Sequence, residues 1–468
     1  MNTTLKEKIK SDYILSKILS CTDNQIYLVG GSVRDYLIGK ATHDRDIIVA
    51  DENAKNYALK LNEILNSTFV SLDEENNIYR LVMPDKINYI DITNPIDNSL
   101  EKDLMRRDLT MNALAIDLKN FELIDIVGGI TDIKNKIINY IIKENFEDDP
   151  LRLLRAYRFQ AIYGFKLSSE TTFAICEYSN LIKKPAIERI NYEILRLFNG
   201  KYADKALINM DKSGILDEIF PFVKELKKIP PNTHHHLDLF NHSIETVKQI
   251  QLLYENSQEK VKKHLNSIDF GGHSRLAHLK LSGFMHDIGK FSTWTIEEDG
   301  RHRFIKHDDV GSKISKDFLK KNLYSNKQIE YISTMIKYHI YPSSVMSSPE
   351  INNKVMMRYI RRMGNNSIDE IILSQADRLS ARGPAITNEI IENNINALNK
   401  LLNFYLENCE TLKPLPKLLN GNDIMKITGI KPSKKLGEIV NALHEAQISG
   451  DVITQEHAIN FVKSYTNI

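Results

Sequence analysis

Apolar and polar positions follow two rhythms along the chain. Up to about residue 135 the apolar residues form short β-branched runs, IYLVG, RDIIVA, IYRLVM and NYIDIT, cut by Gly and Asp turns. Runs of that length and composition predict strands of a small mixed sheet flanked by helices. From about residue 136 the period changes. DPLRLLRAYRFQAIYGF and PAIERINYEILRLF carry apolar residues at helical spacing, and the first adds an arginine at every third position. Helical patterning continues past two breaks, IPPN (Ile229 to Asn232) and LKPLPKLL (Leu412 to Leu419). The expected fold class is α+β, in four zones. These are a mixed head over 1–135, a helical neck over 136–220, a helical zone over 233–400 that holds most of the histidines, and a helical tail over 413–468. The opening stretch, MNTTLKEKIKSDYILSKIL, alternates Lys with apolar residues and has no compact hydrophobic block. It predicts a surface helix rather than a secretion signal.

Composition narrows the classes. A chain of 468 residues suggests about three domains at roughly 150 residues each. No apolar run is long enough to span a bilayer, so no membrane role is expected. Cys21, Cys176 and Cys409 lie far apart, which excludes a disulfide framework or a cysteine zinc site and suits a reducing cytoplasm. The net charge of +1 does not announce a nucleic-acid partner, so an RNA-binding face would have to come from locally segregated basic residues.

Candidate chemistry begins at YLVGGSVRDYLIG, followed by HDRDIIVA. Gly30 and Gly31 end an apolar strand, and Ser32 to Leu37 reads as a helix start. Such a turn lets backbone N–H groups approach a phosphate, and Arg34 adds a charged donor. Asp44 and Asp46, two apart on a strand, point to one side. Carboxylates kept side by side call for a neutralising cation. Asp91, in NYIDIT, is the candidate third ligand. Three carboxylates can hold two Mg²⁺ ions roughly 3.5–4 Å apart, an arrangement suited to in-line phosphoryl transfer. In DDPLR, Asp149 and Arg152 share a helix face behind Pro150. An Asp accepts from an exocyclic amine and an Arg donates to ring acceptors, so the pair would admit cytosine and adenine and reject uracil and guanine. Arg155 and Arg158 continue the stripe, either toward phosphate or in support of that pair. Further on, His286 and Asp287 are adjacent in an apolar helical stretch, a setting that suggests metal ligation. The run His234 to His236 reads as a solvent-facing loop.

GGSVRD, DRDIIV, RRDLTMNALAID, DDPLRLLRAYRF and ERINYEILRLF, in that order, resemble the class II tRNA nucleotidyltransferase and bacterial poly(A) polymerase family of the DNA polymerase beta superfamily. The resemblance covers roughly the first 200 residues. It implies that Asp44 and Asp46 are catalytic metal-binding carboxylates. Gly30, Gly31, Ser32 and Arg34 would then hold the triphosphate, and Arg107, Asp108 and Asn112, with Arg106 close by, would read the ribose. Asp149 and Arg152 would be the protein template for the base, while Glu188, Arg189 and Glu193 brace the helices. FNHSIETV, LSGFMHDIGK and SQADRLSA resemble the HD phosphohydrolase superfamily, implying His242, His286, Asp287 and Asp377 as ligands of Mg²⁺, Mn²⁺ or Ni²⁺. His307 and His339 fall where some relatives recruit a second metal. The implied function is addition of C and A to the 3′ end of tRNA from CTP and ATP.

One departure matters. Only TNPIDNSLEKDLM separates Ile92 from Arg106, which is short beside the flexible loop of typical members. In the family a truncated loop accompanies CC-adding enzymes, which leave the last A to a separate A-adding enzyme. CC addition alone, poly(A) polymerase, and an HD phosphohydrolase with an RNA-binding head therefore stand as alternatives.

Overall fold

The computed structural model describes residues 3–20, 24–348, 351–409 and 416–466. Cys21 and part of the Leu412 to Leu419 break lie outside the described residues. The chain divides into two compact units, Met1–Pro221 and Phe222–Ile468.

The first unit is built on a seven-stranded sheet. Its strands are β1 (Ile26–Val29), β2 (Asp44–Val49), β3 (Thr68–Asp73), β4 (Ile78–Val82), β5 (Tyr89–Thr93), β6 (Leu114–Asp117) and β7 (Leu123–Asp125), in the order β3-β4-β5-β2-β1-β6-β7. Within this sheet only β2 and β5 pair in parallel, and their register sets Asp46 opposite Asp91. Alternation along β2 explains its placement. Ile47 and Val49 join the main head core with Leu28, Ile90 and Ile116, while Ile48 packs with Val29 and Ala115 on the other face. Asp44 and Asp46 share that second face.

The N-terminal segment departs from expectation. It forms two helices, Thr3–Ser11 and Tyr13–Ser20, and Leu5, Ile9, Ile14, Leu15 and Ile18 are buried in the head core. Its lysines hold one face to water while the apolar face closes the sheet, so it is a core element rather than a surface helix. The stretch expected as a short loop after β5 is a 3₁₀ turn, Ile96–Asn98, followed by a helix, Leu100–Met105, capped by the Ser99 side chain.

Beyond the sheet lie the helices Leu151–Tyr163 and Ile187–Asn199, locked by a buried pair, Arg158 with Glu193. Among its described residues the second unit is helical apart from one short hairpin, Trp294–Ile296 with His302–Phe304. Its last helices, Gly421–Thr428, Lys434–Ser449 and Gln455–Thr466, enclose an apolar cluster of their own around Ile424, Ile439 and Val462. No helix among the described residues is long and apolar enough to cross a membrane.

Candidate functional site

Ligand oxygens of Asp44, Asp46 and Asp91 lie within 4.8 Å of one another. Partial desolvation and then the charge of Asp91 raise the Asp44 carboxyl. Burial and then Asp44 push Asp46 up to about 7, against the pull of Arg107. Among the described residues neither Asp44 nor Asp46 has an ion pair. Two neighbouring carboxylates with raised pKa values and no ion-paired partner form a donor set that fits a divalent cation. Asp91 differs, because Arg80 on β4 grips both of its oxygens at 2.7 Å.

The β1 turn closes against this group. Gly30 has φ +75°, and a Cβ there would stand 2.5 Å from Arg107 Nη1 and 3.0 Å from Asp46 Oδ2, so any other residue strains the turn and displaces Arg107. The helix Gly31–Ile38 that follows has no side-chain cap on its first N–H groups. Two expected phosphate contacts are otherwise engaged. The Ser32 hydroxyl donates inward to the Val29 carbonyl. Arg34 is buried between Asp35, the side-chain amide oxygen of Asn112 and the Phe159 ring.

The RRD block is organised by a residue that the sequence reading passed over. Asp103 is fully buried and accepts from Arg106 Nη2 at 2.8 Å and from Arg107 Nη2 at 3.1 Å. The signal was present as i,i+3 and i,i+4 spacing. Arg107 keeps a buried Nε without a hydrogen-bond partner. Asp108 accepts from Asn112 Nδ2 and from Arg155 Nε at 2.6 Å. Burial would lift its carboxyl, but Arg155 and Asn112 outweigh that and hold it at about 2. Asp108 and Asn112 thus form a satisfied buried network, and Arg107 is the member of the block with capacity to spare.

The DDPLR segment ends one short helix, Asn145–Asp148, and starts the helix Leu151–Tyr163. The side chains of Asp149 and Arg152 are not paired with each other. Asp149 pairs with Arg189 at 3.0 Å, and Arg152 donates to the Asn145 carbonyl. Arg155 braces Asp108. Arg158, 3% exposed, is committed to Glu193, and burial lowers its guanidinium to about 9.

In the second unit, His242, His286, Asp287 and Asp377 converge. His242 Nε2 lies 3.3 Å from His286 Nε2, 3.1 Å from Asp377 Oδ1 and 3.5 Å from Asp287 Oδ2. His307 and His339 reach the other oxygen of Asp287 at 3.3 and 3.7 Å. Nδ1 of His286, His307 and His339 each faces a backbone carbonyl, of Gly283, Phe304 and Ile336. A proton on each Nδ1 turns the Nε2 lone pair inward, the tautomer a metal ligand needs. Burial would lower His286, yet Asp287 and Asp377 overcome it and hold the ring at about 10, so without a metal its Nε2 carries a proton that a bound cation would replace. Positive charge is favoured between these carboxylates, so the donor set fits a divalent cation. His235 was misread as solvent-facing. It packs edge-on to His242 with ring centres 4.7 Å apart and belongs to the cluster, whereas His234 and His236 are exposed.

Residues 26–139 match the poly(A) polymerase head domain, 164–227 the probable RNA- and SrmB-binding site of polymerase A, and 239–382 the HD domain. The chain is 28% identical to an A-adding tRNA nucleotidyltransferase of Deinococcus radiodurans, over 94% of this chain and 95% of that one. It is equally 28% identical to a CC-adding tRNA nucleotidyltransferase of Thermus thermophilus, over 94% of each. Its fold resembles that of the Thermotoga maritima CCA-adding enzyme solved with tRNA, with a TM-score of 0.57 and 20% identity, over 98% of this chain and 97% of that one. The chain thus carries a poly(A) polymerase head domain followed in sequence by an HD domain, and over nearly its whole length it is similar to class II tRNA nucleotidyltransferases.

Proposed function

We propose that this protein adds C and A residues to the 3′ end of tRNA from CTP and ATP, without a nucleic-acid template. The observation that carries this reading is the triad Asp44, Asp46 and Asp91 beside the Gly30–Gly31 turn, in a chain aligned almost end to end with tRNA nucleotidyltransferases. In this reading the tRNA 3′ oxygen attacks the α-phosphorus of the nucleotide, and pyrophosphate leaves. Asp44, Asp46 and Asp91 hold Mg²⁺, which when bound supplies charge neutralisation at the attacking and departing oxygens. Arg107 and the N–H groups that open the helix Gly31–Ile38 bind the triphosphate. Asp149 and Arg152 read the base, which requires Asp149 to leave Arg189. Catalysis is mostly positioning and electrostatic stabilisation. Such a reaction belongs in the cytoplasm, where tRNA and nucleotides are found.

The test is incorporation by Asp44→Ala and Asp46→Asn. Both variants should fold and bind tRNA yet lose nucleotide addition by at least about a thousandfold. Retained addition in either would remove the site from the reaction. The convergence of these side chains favours a second assignment, that His242, His286, Asp287 and Asp377 bind a divalent ion able to activate water for phosphoester hydrolysis. Metal analysis of His286→Ala checks it, since unchanged metal content would exclude this set.

A further inference from the structure

We propose that Arg80 is a positioning residue that reserves Asp91 for the second of two divalent cations in the head, so that the two ions bind with unequal affinity. This rests on the nucleotidyltransfer reading of the site.

Register places the groups. Arg80 on β4 is the direct cross-strand partner of Asp91 on β5, and Asp91 is the partner of Asp46 on β2. Residues directly opposite in neighbouring strands project from the same face. Arg80, Asp91 and Asp46 therefore form one row, with the cation at its outer end. The grip is a two-pronged fork, with Arg80 Nε on one Asp91 oxygen and Nη2 on the other, both at 2.7 Å. The guanidinium also lies over the Tyr89 ring, 4.2 Å from its centre, and Tyr89 neighbours Asp44. Arg80 is thus aimed and held, and its planar fork matches a carboxylate in a way that Lys cannot.

This partition of charge has a consequence. Asp44 and Asp46 have no ion pair among the described residues, whereas Asp91 is already neutralised. The first cation settles on the bare pair. Asp91 serves a second cation only after the fork opens. Opening is feasible because the Arg80 side chain is 32% exposed and can turn its charge to water. Arg80 therefore weakens the second ion by competing for its ligand, and it keeps Asp91 from collapsing onto the first.

The experiment is Mn²⁺ titration of the full chain, with free Mn²⁺ read by electron paramagnetic resonance. Wild type is compared with Asp44→Ala, Asp91→Asn, Arg80→Met and Arg80→Lys. Classes of ion lost in Asp44→Ala belong to the head, which separates them from ions at the histidine cluster. Asp91→Asn should lose only the weaker head class. Arg80→Met should tighten that class about tenfold, the size of one charge-assisted hydrogen bond, and leave the tighter class unchanged. Arg80→Lys, with a single-point grip, should fall between. In nucleotide addition, half-saturating Mn²⁺ should drop in Arg80→Met while KM for CTP holds. An unchanged or weakened second class in both Arg80 variants would overturn the proposal. If Asp44→Ala removes no class at all, the failure lies with the nucleotidyltransfer reading itself.

Discussion

Replacing Asp103 with Asn tests how the RRD block is held. Asp103 is fully buried, while Arg106 is half exposed and Arg107 about a fifth exposed. Asp103→Asn keeps the shape, removes the charge, and turns an amide donor toward two guanidinium groups. Breaking a buried pair from one side costs about 3–5 kcal/mol when the other charge is trapped. Arg106 can turn to water, so the trapped charge is that of Arg107 alone, and a loss of roughly 2–3 kcal/mol is expected. Arg107 Nη1 also stands against Gly30 and its charge bears on Asp46, so its displacement reaches the nucleotide. KM for CTP should rise about tenfold with kcat within roughly threefold, since a lost binding contact of ~1.4 kcal/mol corresponds to that factor. Urea unfolding and single-nucleotide incorporation measure the two effects. A variant that loses stability but keeps the wild-type KM would refute the link from Asp103 through Arg107 to the nucleotide.

Gly30→Ala should fold with a cost of about 1–3 kcal/mol, from positive φ and the Arg107 clash, and should raise KM for nucleotide at least about tenfold; an unchanged KM would separate this turn from the triphosphate. Without divalent ions, Asp46 makes the head less stable as pH rises. Its folded value is raised, so the stabilisation from its neutral form is complete below 3.8 and is lost through about 7. That shift corresponds to ~4 kcal/mol, discounted to roughly 2 for its partial exposure. In chelator, the unfolding free energy of Asp46→Asn should therefore gain on wild type by about that amount between pH 4 and 8, and a constant difference would refute the assignment. Glu370 is fully buried with neither oxygen hydrogen-bonded, and burial, then Asp369, raises its carboxyl well above the usual range. Glu370→Leu should stabilise the second unit by roughly 1–3 kcal/mol at pH 8 and by less at pH 5, read by urea unfolding.

The parts of the site that the sequence disclosed are those carried by local period. Asp44 and Asp46 share a face because they are two apart on a strand, and Gly30 marks a turn because its positive φ favours glycine. The parts it withheld depend on what lies opposite. Arg80 meets Asp91 only through the β4–β5 register, which nothing in IYRLVM announces. Asp103 lies in a polar stretch with charged neighbours on both sides, and nothing there announces that it is buried. The N-terminal helices show an amphipathic pattern, but the pattern does not reveal that the apolar face has a sheet to cover. His235 looked like loop because HHH has no period, and its packing on His242 arises from the fold. Asp149 and Arg152 were legible as neighbours on one face, yet their partners, Arg189 and the Asn145 carbonyl, come from elsewhere in the chain.

The central claim is tested most directly with purified protein, Mg²⁺, and tRNA transcripts ending at the discriminator base, at C and at CC. Each is offered CTP, ATP, UTP or GTP singly, then CTP with ATP, beside the Asp44→Ala variant. The protein should complete CCA from CTP and ATP and make no use of UTP or GTP, and Asp44→Ala should add nothing. Arrest at CC, or addition of A to the CC-ended transcript alone, would contradict dual C and A addition; long A tails on any RNA, or no incorporation at all, would contradict tRNA nucleotidyltransfer itself.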